Sequence, residues 1–110
     1  MAYRYDLKID QGATLALDIE CHDDAGNPVD LTGYTASAQV RYRYADPGPA
    51  AVFTSVLNET PGVVSLKLGA PQTAALAKPF GVWDCELTAP DGTVQRLAEG
   101  KVAVSWEVTR

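Results

Sequence analysis

Val82-Trp83-Asp84-Cys85-Glu86-Leu87-Thr88 places Trp83, Cys85 and Leu87 on one parity and Asp84 and Glu86 on the other. A period of two over a run of this length is the mark of a β-strand with one face buried and one face wet. Pro90-Asp91-Gly92 follows as turn chemistry and leads into a second strand from Thr93 to Ala98. Glu99-Gly100 reads as a further turn, after which Val102, Val104, Trp106 and Val108 alternate as a last strand.

The same period governs the chain upstream. Tyr3, Tyr5, Leu7 and Ile9 alternate with Arg4, Asp6, Lys8 and Asp10, and Leu15, Leu17, Ile19 and Cys21 alternate with Thr14, Ala16, Asp18 and Glu20. Asp23-Asp24-Ala25-Gly26-Asn27-Pro28 separates that strand from a third, long one, in which Ala36, Ala38, Val40, Tyr42 and Tyr44 share a face. Asp46-Pro47-Gly48-Pro49 ends it, because proline cannot donate to a ladder. Ala51 to Leu57 and Val63 to Leu68 read as a hairpin around Asn58-Glu59-Thr60-Pro61-Gly62. The one helical segment runs from Pro71 to Ala77, with proline in the first turn. Seven to eight short strands, one short helix and frequent Gly, Pro and Asp punctuation predict an all-β chain, an immunoglobulin-like β-sandwich forming a single domain over residues 1–110. A small barrel is the alternative.

Cys21 and Cys85 lie on the apolar parities of the two strands that an immunoglobulin sandwich bridges across its core. Three states stay open for them: free buried thiols, which the small apolar character of cysteine and a reducing cytoplasm favour, an internal disulfide, and a bridge between subunits.

Composition narrows the chemistry. The 110 residues carry 14 Asp+Glu against 9 Lys+Arg, a formal net charge of −5, which argues against a nucleic-acid partner held through its phosphates. A chain this size buries roughly two-thirds of its unfolded surface, enough for one core. Cys21, His22 and Cys85 are one ligand short of a structural zinc site. Asp23, Asp24, Asn27 and Asp30 offer oxygens in the manner of a calcium loop but without EF-hand spacing, so they are expected to serve the turn. His22 has no suitably placed nucleophile, and the pairs Asp18/Glu20 and Asp84/Glu86 are expected to form outward sheet faces. No run suggests a signal peptide or a membrane span, and no cofactor or metal is expected. What remains are two Tyr-Arg-Tyr triplets. Tyr3, Arg4 and Tyr5, and Arg41 with Tyr42, Arg43 and Tyr44, are the interface candidates, because Tyr and Arg are enriched where proteins meet.

Ile9-Asp10-Gln11-Gly12-Ala13, then Gly26-Asn27-Pro28-Val29-Asp30-Leu31-Thr32-Gly33-Tyr34-Thr35-Ala36, and the tail from Leu87-Thr88-Ala89-Pro90-Asp91-Gly92-Thr93-Val94 through Glu99-Gly100-Lys101-Val102 to Glu107-Val108-Thr109-Arg110 together resemble small virion proteins of tailed bacteriophages. Around Gly26 to Thr35 the chain is also similar, more distantly, to N-terminal domains of phage upper baseplate proteins. In the shared segment Leu31 is expected to anchor a loop in the core and Gly33 to turn the chain into the next strand. The resemblance implies a non-enzymatic structural component of the virion, assembled in the host cytoplasm with other virion proteins, as a homo-oligomer or in several copies, in the tail, baseplate, neck or fibre-attachment region. Head decoration is the alternative position. A carbohydrate-binding sandwich is the alternative class, with Trp83, Trp106, Tyr34, Tyr42 and Tyr44 as its material, although both tryptophans fall on apolar parities expected to be core. Assembly would use open sheet edges, for which the first strand, Tyr3 to Ile9, and the last, Val102 to Val108, are the candidates.

Overall fold

In a computed structural model that describes residues 3–109, the alternating segments form nine strands and one helix. Met1, Ala2 and Arg110, which open the first alternating run and close the C-terminal segment, lie outside the described residues. The strands are β1 (Tyr3–Arg4), β2 (Leu7–Asp10), β3 (Leu15–Glu20), β4 (Thr35–Arg41), β5 (Ala51–Val52), β6 (Thr54–Leu57), β7 (Val63–Leu68), β8 (Phe80–Thr88) and β9 (Val94–Ser105), with α1 (Ala70–Ala74) between β7 and β8.

Two sheets face each other. The larger has the order β1-β9-β8-β4-β5, with β2 also beside β9, and the smaller is β3-β7-β6. This is the immunoglobulin arrangement: β3, β7 and β6 stand where strands B, E and D stand, and β4, β8 and β9 where C, F and G stand. One strand is placed differently. The first strand pairs in parallel with β9, so among the described residues the position of strand A beside β3 is vacant.

The core is built from the inward parity of each strand. Leu7, Ile9, Val40, Cys85, Leu87 and Val102 from the large sheet meet Val64, Leu66 and Leu68 from the small one. Large and small residues alternate across the rows. Trp83 sits between Val40 and Gly100, and Cys85 between Ala38 and Ala98, which leaves room for the indole and for the Phe53 ring 6.0 Å from it. At one end of the sandwich the fully buried Thr73 of α1 donates its hydroxyl to the Ala13 carbonyl at 2.8 Å and accepts the Gly12 N–H at 3.0 Å, tying the helix to the β2–β3 turn. Leu31 is buried and Gly33 has φ +80°, so the Asp-Leu-Thr-Gly segment does what its residue types suggest.

Several boundaries differ from those read in the sequence, each for a physical reason. Among the described residues there are nine strands rather than seven or eight. The first predicted strand breaks at Tyr5-Asp6, and the arm from Ala51 to Leu57 divides at Phe53, where the chain leaves β4 for the opposite sheet. Conversely, the two strands predicted after Gly92 are one, because Glu99-Gly100 continues the ladder instead of turning. β4 stops at Arg41, since Asp46 gathers the Arg43 N–H on its carboxylate and the Arg41 guanidinium on its carbonyl. The helix spans Ala70–Ala74 rather than running to Ala77. β9 ends at Ser105, leaving Trp106 51% exposed and outside the core, and β9 lies inside the sheet, so only the first strand is an edge as expected.

Gly100 explains how the first strand is held. A Cβ at that position would collide with the Tyr5 carbonyl oxygen. With hydrogen there instead, Tyr5 turns its carbonyl to the indole N–H of Trp83 at 2.7 Å, while its own N–H reaches the Glu99 carbonyl at 2.8 Å. Trp83→Phe leaves that carbonyl without its donor and also removes volume, so it should lower unfolding free energy by about 2 kcal/mol or more. Gly100→Ala should cost about as much through overpacking alone. Urea unfolding reads both as a lower midpoint at an unchanged slope.

A candidate assembly surface beside the vacant strand

β1 and β3 are edges of opposite sheets on the same side of the sandwich. Between them runs a cleft of about 520 Å³ whose walls include Tyr3 and Tyr5 on one side, Leu17 and Ile19 on the other, and Trp83 and Ala98 at its base. Tyr3 and Tyr5 are 54% and 55% exposed, and Leu17 and Ile19 are half-buried although they belong to the inward parity of β3. An apolar strand face reaches water here because, among the described residues, no fourth strand covers it. Asp18, Glu20 and His22 form the outer lip.

The first Tyr-Arg-Tyr triplet therefore lies where an interface residue would be useful. Arg4 is drawn to Asp6 at 3.3 Å, and Asp6 also accepts the Lys101 N–H at 2.9 Å across the break between β1 and β2. That backbone hydrogen bond, with the help of Arg4 and Lys101, holds the Asp6 carboxyl below the usual carboxylate range. The second triplet is not brought to the first. Arg41 closes β4 and packs with Tyr44 into a separate polar depression with Asp84, Arg96 and Glu99. Arg41 also binds the Gln39 side chain, and Tyr42 accepts the Ala77 N–H on its hydroxyl beneath the Lys78 ammonium. Arg43 pairs with Asp46, leaving Tyr44, 82% exposed, as the free aromatic of that group. The surface joining Leu17, Ile19, Asp18 and Glu20 to the tyrosines escapes sequence reasoning, which assigns the leucine and isoleucine to the core. A signal was nonetheless present: β3 is a run without proline or lysine, two residues that commonly blunt an exposed edge.

The other candidate groups are used locally. Asp23 accepts the Ala25 and Asn27 N–H groups at 3.0 and 2.9 Å, as a turn residue. Asp30 accepts from both the hydroxyl and the N–H of Thr32, and these bonds, with Asn58 behind them, lower its pKa. Cys21 and Cys85 are both buried and unbridged. Burial, reinforced by the neighbouring Asp84, Cys21 and Glu86, pushes the Cys85 thiol from its ordinary 9.0 up to about 12. Burial alone raises Cys21. Among the described residues no helix is long and apolar enough to cross a membrane. No protein-family model matches the chain, and no curated protein matches it significantly in sequence.

Thiol reactivity follows from this geometry. A thiol-specific disulfide reagent at pH 8 should label neither cysteine in the folded protein and both after denaturation, whereas prompt labelling of the native chain would contradict the burial. Because the folded-state pKa of Cys85 is raised, its contribution to stability is complete below pH 9 and is lost as pH climbs toward 12. Asp6 and Asp30 act in the opposite sense: their lowered values favour the fold above the ordinary carboxylate range, and that contribution disappears as pH falls through them. Thr32→Ala should move the Asp30 titration upward in a carboxyl-detected NMR experiment.

Proposed function

We propose that the chain is a non-enzymatic structural subunit of a tailed-bacteriophage virion, joining neighbouring proteins in the tail, baseplate, neck or fibre-attachment region. The observation that carries this reading is the vacant strand position beside β3, with an aromatic wall opposite. Unpaired backbone at a sheet edge is a ready site for main-chain pairing with another chain. The resemblance of the Gly26 to Ala36 and Leu87 to Arg110 segments to small phage virion proteins points the same way.

A glycan-binding module is the second reading, favoured by the exposed Trp106 and Tyr44.

Particles produced by the genome that encodes this chain, purified on a density gradient, should contain it in stoichiometric amounts by mass spectrometry. Arg4→Ala combined with Arg43→Ala should reduce its incorporation by about tenfold, as interface arginines do. Particles without the chain would overturn the virion reading. Antibody decoration of heads instead of tails would reassign it to head decoration, and a shift of Trp106 emission on adding oligosaccharides would favour the glycan module.

A further inference from the structure

We propose that the free edge of β3 receives an extended segment of a different protein, one whose residues alternate between apolar side chains and Lys or Arg, so that the segment occupies the position of the missing strand A. The inference rests on the assembly reading above and specifies its partner.

The backbone sets the geometry. The Cys21 N–H goes to the Gly62 carbonyl at 2.7 Å, on the β7 side of the strand. Hydrogen-bonded and non-hydrogen-bonded pairs alternate in an antiparallel ladder, so Leu15, Leu17 and Ile19 also point their N–H and C=O groups at β7. The groups of Ala16, Asp18 and Glu20 then face the free side, where no strand pairs with them among the described residues. The opposite edge of the small sheet is not equivalent. β6 is short, and the Ser55 hydroxyl donates to the Ala36 carbonyl of β4 at 3.1 Å, tying that edge to the large sheet.

Side chains choose the occupant. A strand added about 4.8 Å from β3 points alternate residues into the cleft, against Tyr3, Tyr5, Leu17, Ile19 and Trp83, which selects apolar groups there. Its remaining residues lie alongside Asp18 and Glu20 on the outer face. Both carboxylates are exposed, and among the described residues neither joins an ion pair, so the complementary groups on the incoming strand are cations. The nearest cation on the facing wall, Arg4, is already engaged by Asp6.

A second copy of this chain fits poorly. Pairing β3 with β3 brings Asp18 and Glu20 against their own counterparts, and like charges on adjacent strands are destabilising. The segments of this chain that share the alternation are already engaged: Tyr3-Arg4-Tyr5 and Leu7-Lys8 pair with β9, and Arg41-Tyr42-Arg43-Tyr44 is held by Gln39, Asp46 and Ala77.

The test uses the full chain and a dye-labelled peptide alternating lysine with valine, matched to the six residues of β3. Fluorescence polarisation should show binding that weakens as salt rises and is about tenfold tighter than for the glutamate–valine counterpart. Methylating the peptide's alternate backbone nitrogens on one edge should abolish binding, while methylating the other edge should leave it intact, a signature that simple charge attraction does not produce. Asp18→Lys with Glu20→Lys, both at exposed positions, should reverse the preference toward the glutamate peptide while circular dichroism stays unchanged. Equal binding of both peptides, indifference to methylation of either edge, or no binding at millimolar peptide each overturn the proposal. If the chain is present in purified particles and the peptide fails, the edge assignment falls and the virion reading stands. If the peptide binds with the one-edge signature and particles lack the chain, the edge stands and the virion reading falls.

Discussion

The hydrogen bond from the Trp83 indole to the Tyr5 carbonyl is the constraint on which the rest of the architecture turns. It commits the first strand to the large sheet, and every later feature of that side of the molecule follows. With Tyr5 anchored over Gly100, β1 and β2 complete the ladder along β9 and cannot also lie beside β3. The small sheet is left with three strands, and its inward-facing leucine and isoleucine reach the surface. A single hydrogen bond from a buried indole thus decides where an apolar surface is exposed. Its value is specificity as much as stability, because the indole N–H of the buried Trp83 is costly to leave without an acceptor.

The acids complement that arrangement. An exposed edge with apolar neighbours invites promiscuous pairing, and proteins usually prevent it with charge, proline or a covering loop. Here Asp18 and Glu20 discriminate instead of blocking. They repel another β3 while leaving the backbone groups of the edge accessible. The outer face of the edge is correspondingly acidic, with Asp18 and Glu20 lining one depression together with Glu59.

Much of the fold was legible in local period and turn chemistry. Trp83, Cys85 and Leu87 alternate as they are buried, the hairpin closing at Val63 has its turn where Asn58 to Gly62 suggest, and Leu31 anchors its loop. What escaped depends on partners remote in sequence. Gly100 looks like a turn residue until Tyr5 is placed against it, and Phe53 looks like mid-strand until the chain is seen to change sheets there. Trp106 and Val108 continue the apolar alternation past Ser105, where the ladder ends, and both are exposed. The candidate site was half legible. The residue types of the first triplet suit an interface, but the vacancy beside Leu17 and Ile19 is a matter of strand choice, to which a period of two is blind.

The parallel pairing of the first strand with β9 has a mechanical consequence. Two register pairs in β1 and four in β2 run in the same direction as β9. Tension applied between the start of β1 and the end of β9 pulls the two strands along each other, so the load falls on the whole ladder at once instead of opening it pair by pair. Stretching along that line meets the joint resistance of those rows and of the Asp6 and Trp83 anchors, whereas peeling β3 from β7 would meet one row at a time. The sandwich is therefore stiff along one line of force and yielding along another.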